Sequence, residues 1–172
     1  DVAIELWNTN QSKIENCNIT NNDFGIKLWY YSNNNTVVGN NITNNEFGIE
    51  LWYSNNNTVV ENNIRNNNWA GIYLILSNGC NVSFNVFVDN GLSIADSYGN
   101  VVEGNLVNGK PLVYLENAEN IEVTNAGQII AVNSRNITIK NLEISYIDVA
   151  IELWNTNQSK IENCNITNND FG

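Results

Sequence analysis

The chain has 172 residues, is acidic, with 18 Asp and Glu against 7 Lys and Arg, and contains neither His nor Met. A formal net charge of -11 argues against nucleic acid and anionic membrane as partners, and no apolar run reaches the ~18 residues of a membrane span. Asn accounts for 40 residues and proline for one, Pro111; the apolar residues are too regularly placed for a disordered chain.

Residues 1–25 return letter for letter as residues 148–172, a period of 147. Within it runs a looser repeat. An apolar pair opens each unit: Ile4/Leu6, Ile26/Leu28, Ile49/Leu51, Ile72/Leu74, Leu92/Ile94, Leu112/Tyr114, Ile129/Ala131 and Ile151/Leu153. The steps are 22, 23, 23, 20, 20, 17 and 22 residues, so the large period holds seven coils of about 21 residues. A second signature follows: apolar, two residues, Asn, one residue, apolar. It reads Val37-Asn40-Ile42, Val59-Asn62-Ile64, Val82-Asn85-Phe87 and Val102-Asn105-Val107. Cys17 and Leu142 take the Asn slot in the first and seventh coils.

Alternation of apolar and polar residues is strand periodicity, and Asn and β-branched residues are poor helix formers. Three short strands per coil, each bonded to its equivalent one coil away, make an all-β parallel solenoid. Asn40, Asn62, Asn85 and Asn105 are the expected internal ladder: Asn tolerates the left-handed conformation of a corner, and its amide can bond the next Asn. Gly25, Gly48 and Gly71, each after an aromatic or Ala, are expected at corners with positive φ. Cys17, Cys80 and Cys164 are expected as free thiols, because coils three apart lie roughly 14 Å apart at ~4.8 Å per strand. No ligand spacing suggests a metal or other cofactor.

Outward positions of the opening strand carry Glu5-Trp7, Lys27-Trp29 and Glu50-Trp52, and Trp154 repeats the series. Stacking sets Trp7, Trp29 and Trp52 in a row about 5 Å apart. Three readings stay open: a sugar-stacking platform, contact with a neighbouring rod, and a self-stabilising ladder. Charges alternate along Glu5, Lys27 and Glu50, removing like-charge repulsion between coils. The remaining acids, among them Glu15, Glu61, Asp89, Asp96, Glu103, Glu116, Glu122 and Glu143, are scattered, and Arg65 and Arg135 sit in distant coils. No acid–base pair emerges, so no catalytic residue is assigned. Glycosylation sequons occur at Asn10, Asn18, Asn34, Asn41, Asn56, Asn81, Asn136, Asn157 and Asn165, none of them a ladder position.

The strings Asn-Asn-Thr-Val-Val-x-Asn-Asn-Ile at 34–42 and 56–64, Gly-Ile-x-Leu at 25–28 and 48–51, and Gly109-Lys110-Pro111-Leu112 followed by Asn117-Ala118-Glu119-Asn120-Ile121 resemble right-handed parallel β-helix repeats of the pectin-lyase-like superfamily. The closest look is to its NosD-like and its carbohydrate-binding and sugar-hydrolase repeats. The resemblance implies one continuous right-handed β-solenoid over residues 1–172, with 1–147 one large unit and 148–172 the start of the next. It also suggests an archaeal surface protein. It carries a copper label, which a chain without His and Met does not support. The expected function is a non-catalytic segment of an extracellular or cell-surface rod, its partners copies of itself and possibly glycans. The alternatives are a carbohydrate-binding module using the Trp row, and a polysaccharide lyase or epimerase. Coils one and eight being identical, Gly172 is expected to be followed by the sequence that follows Gly25, as one covalent array.

Overall fold

The structure is a computed structural model that describes residues 1–170; Phe171 and Gly172, the copies of Phe24 and Gly25, lie outside the described residues. Coil 1 holds β1 (Val2–Trp7), β2 (Lys13–Glu15) and β3 (Asn18–Thr20); coil 2 holds β4 (Phe24–Trp29), β5 (Thr36–Val38) and β6 (Asn41–Thr43). Coil 3 holds β7 (Phe47–Trp52), β8 (Thr58–Val60) and β9 (Asn63–Arg65), and coil 4 β10 (Ala70–Ile75), β11 (Asn81–Ser83) and β12 (Val86–Val88). Coil 5 closes the first stack with β13 (Leu92–Ala95), β14 (Val101–Glu103) and β15 (Leu106–Val107). Its three faces are the parallel sheets β1-β4-β7-β10-β13, β2-β5-β8-β11-β14 and β3-β6-β9-β12-β15. The registers match the sequence steps: Ile4 sits on Ile26, Ile26 on Ile49, Ile49 on Ile72 and Ile72 on Leu92.

Columns of like residues fill the interior. Ile26, Ile49, Ile72 and Leu92 form one, Val37, Val59 and Val82 another, and Ile42, Ile64 and Phe87 a third; all are fully buried. Each such side chain contributes ~1.5–3 kcal/mol of hydrophobic stabilisation, and vertical stacking fixes the register, since a one-residue slip would turn the column outward.

The corners divide their work between two residues. The ladder Asn residues are buried but do not take the left-handed conformation expected of them; the residue before each does. Gly39, Glu61, Phe84 and Gly104 have φ of 66, 57, 55 and 67°, and the next residue turns inward as Asn40, Asn62, Asn85 or Asn105. The Asn62 amide donates to Asn85 Oδ1 at 3.0 Å and to the Val37 and Val60 carbonyls, while its oxygen accepts the Asn40 backbone and side-chain N–H groups. A bent chain segment thus has its exposed carbonyls satisfied from inside the coil.

Gly25, Gly48 and Gly71 also differ from expectation: none has positive φ. They are needed because successive coils touch there through backbone. A Cβ on Gly25 would stand 2.6 Å from the Gly48 carbonyl oxygen, and one on Gly71 2.7 Å from that of Gly91.

The largest departure comes after coil 5. Asn108 and Gly109 both have positive φ, 48 and 79°, as the two central residues of a tight hairpin of the I′ kind require. The hairpin pairs β15 antiparallel with β16 (Lys110–Glu116), Val107 opposite Lys110 and Leu106 opposite Pro111. The expected stacking of Leu112/Tyr114 on Leu92/Ile94 is therefore replaced, and β13 remains an edge strand. A second stack begins with β16 and β17 (Glu122–Val123). It continues with β18 (Gln128–Val132), β19 (Thr138–Lys140) and β20 (Glu143–Ser145), then β21 (Ile151–Trp154), β22 (Lys160–Glu162) and β23 (Asn165–Thr167). Its opening strands β16-β18-β21 extend the third face of the first stack into one eight-stranded sheet.

Side chains cap the exposed edge. Gln128 receives the Leu92 N–H at 3.0 Å and donates to the Leu92 carbonyl at 2.7 Å and to Val149 at 2.8 Å. Glu116 accepts the Gly99 N–H at 2.8 Å. Asp148 accepts the N–H groups of Gly71 at 3.1 Å and Gly91 at 2.9 Å, and Asn90 Nδ2 at 3.2 Å. These bonds pin the second stack against coils 4 and 5.

Candidate functional site

Strand alternation turns one residue in two of each opening strand outward, and the first stack displays three parallel rows there. Trp7 and Trp29 have ring centroids 5.3 Å apart, and so do Trp29 and Trp52, the latter pair within 11° of parallel. Tyr30 and Tyr53 lean against them, Tyr30 5.2 Å from Trp29 and Tyr53 6.2 Å from Trp52. On the other side Phe24 stacks on Phe47 at 5.1 Å and Phe47 on Trp69 at 5.7 Å. The expected row therefore exists, but Trp29 and Trp52 turn their faces toward each other, while Trp7 is tilted by 49° to Trp29. Trp7 is 57% exposed, at the end of the row, while Trp29 and Trp52 are half-buried. Trp154 joins no such row; it stacks on Tyr98 of coil 5 at 4.9 Å.

Between the aromatic rows lie Lys27 and Glu50, outward by register and yet only 7 and 6% exposed. Their charges are 3.4 Å apart, and the Lys27 ammonium lies 3.7 Å from the Trp29 ring centroid and 4.1 Å from that of Phe24. The cation is thus held by ring faces and a carboxylate together. Glu50 Oε2 has no hydrogen-bond partner, and burial raises the Glu50 pKa despite the lysine.

The second stack covers the far end of this face. Val149 and Glu152 of coil 8 line, with Phe47, Trp69, Tyr73 and Ile94, a partly open cavity of about 220 Å³. Glu152 Oε2 is buried without a partner, and desolvation, opposed in part by the Ile94 backbone, pushes the Glu152 carboxyl up to about 7. Tyr73 is raised by burial and by the charges of Glu152 and Glu50. Sequence reasoning missed this grouping. Glu152 repeats Glu5, which is exposed, and only the hairpin brings it to coils 3–5.

Other expected residues fall as follows. Asn10, Asn18, Asn34, Asn41, Asn56, Asn136, Asn157 and Asn165 are exposed, whereas Asn81 is half-buried with Oδ1 unpartnered. The thiols are free; burial lifts Cys80 to about 11, which leaves it an inert filler. Glu116 is engaged at the hairpin joint and the other scattered acids are exposed. A second Asn ladder went unread: Asn22, Asn45, Asn67 and Asn90, bonded amide to oxygen at 3.0, 3.0 and 2.8 Å. Its regular spacing in the sequence was the available signal, and Asp148 terminates it at Asn90. Among the described residues no group of three His, Cys, Asp or Glu could hold a metal ion, and no helix is long and apolar enough to cross a membrane.

The right-handed β-helix region family model matches residues 2–107. The chain belongs to the right-handed β-helix family. The match ends at Val107, where the first stack of the β-helix ends and the hairpin begins. No curated protein matches the β-helix chain. Membership leaves catalytic status open, because right-handed β-helices include enzymes and non-enzymes.

Proposed function

We propose that this β-helix is a non-catalytic, structural segment of an extracellular or cell-surface tandem-repeat array, of the NosD-like or carbohydrate-binding and sugar-hydrolase repeat type, which extends as a rod or filament of copies of itself. One observation carries the reading: the outer groups of the first stack that could serve recognition are spent on one another. Trp29 lies between Trp7 and Trp52, and Lys27 is closed in by Glu50 and two rings. A sugar platform asks for open ring faces, and a lyase or epimerase asks for acids gathered with Arg or Lys on one face. Exposed sequon asparagines along the coils agree with a secreted surface.

Electron microscopy of the native protein tests this. Thin fibres whose length grows with the number of 147-residue units are expected. Small globular particles, or strong and selective binding on a glycan array that Trp29→Ala abolishes, would overturn it.

A further inference from the structure

The cavity between the two stacks has a chemistry that a purely structural contact does not require. Its walls are the rings of Phe47, Trp69 and Tyr73 with the aliphatic Ile94 and Val149, and Glu152 completes it. A buried carboxylate oxygen without a donor is costly and uncommon in a folded protein. Glu152 Oε2 is such an atom.

The charges around it have one sign. On β7, Glu50 faces the same region; on β10, Tyr73; on β13, only Ser93 and the Ile94 amide. Lys27, on β4, is already paired with Glu50. Asp148, on the segment before β21, is directed to Gly71, Gly91 and Asn90. A missing donor, mostly apolar walls and a chain of net charge -11 together select a cationic donor carried on an alkyl chain.

We propose that this cavity binds a primary alkylammonium group, its N–H bonded to Glu152 Oε2 and its carbon chain laid against Phe47, Ile94 and Val149. The site belongs to the joint between the stacks.

Isothermal titration with n-butylammonium and with neutral 1-butanol, at pH 8.5 and pH 5.5, reads the site directly. Saturable binding of the amine alone is expected at pH 8.5, falling at least tenfold at pH 5.5 as Glu152 becomes protonated. Glu152→Gln should abolish it, and Val149→Phe should block it by filling the cavity. Glu50→Gln separates the other carboxylate, and the pH dependence should survive it. Circular dichroism checks that each variant keeps its strands. Equal binding of 1-butanol, undiminished binding by Glu152→Gln, or no heat from the folded protein with either probe would overturn the proposal.

Discussion

Glu5 and Glu152 occupy the same place in an identical 25-residue sequence, yet Glu5 stands in solvent while Glu152 walls a cavity with its carboxyl raised to about 7. Neighbours further along the chain make the whole difference. Trp7 and Trp154 diverge in the same way, one exposed at the end of a ladder and the other stacked on Tyr98. The pair shows how far a local repeat determines environment: it dictates the strand and the outward direction, and the hairpin at Asn108-Gly109 decides what that direction meets.

The Lys27–Glu50 pair should behave as a buried charge pair despite its outward register. Lys27→Met strands Glu50 among rings and should cost about 3 kcal/mol in urea denaturation, while the double variant Lys27→Met with Glu50→Leu should recover most of it. A single-variant loss below ~0.5 kcal/mol, the range of a surface pair, would mean that water reaches both charges.

The internal ladder predicts a comparable loss at Asn62. Asn62→Leu leaves the Asn40 amide and the Val37 and Val60 carbonyls short of partners, for a cost of about 3 kcal/mol. The readout is the urea midpoint. Unchanged stability would count against the register of the coils.

Backbone contact, rather than φ, makes Gly25 indispensable. Gly25→Ala sets a methyl against the Gly48 carbonyl and should cost about 3 kcal/mol as an overpacked site. Gly39→Ala works through a different cause, its φ of 66°, and should cost about 1 kcal/mol. Equal losses in thermal melts would argue that both glycines serve the turn.

Asp148 gives the joint a pH dependence. Desolvation raises its carboxyl from 3.8 to about 6, against the opposing pull of the Gly71, Gly91 and Asn90 donors. The folded state therefore holds its proton more tightly than the unfolded chain does. Stability from this group is full below pH ~4 and is lost as the pH rises through about 6, by about 3 kcal/mol. Glu152 adds the same sign up to about 7. Urea midpoints should fall between pH 4 and pH 8, and the part of that fall absent in Asp148→Asn is the Asp148 contribution. An identical pH profile in the variant would contradict the assignment.

Coil length, register and the Asn40 ladder were legible because stacked equivalents repeat in sequence at the step of the coil. The joint was harder. Apolar alternation at Leu112 and Tyr114 reads the same whether the strand runs parallel or antiparallel to its neighbour, since side chains alternate with period two in both. The Asn108-Gly109 pair carried the direction and is a strong short-range hairpin signal. Stacking of Trp7, Trp29 and Trp52 followed from the coil register, whereas Trp154 meets Tyr98 instead, and the orientation of the ring faces depends on the packing of Tyr30 and Tyr53 beside them. Burial of Lys27 followed from those same rings, so its outward register alone pointed to solvent.

The stacking arrangement also has a mechanical consequence. Hydrogen bonds between coils point along the stack, so tension along that axis loads the bonds of one terminal coil before those of the next. Yielding should proceed stepwise, each step freeing about 22 residues, or ~70 Å of chain. Such a protein would lengthen under load and dissipate work in small increments instead of failing at once.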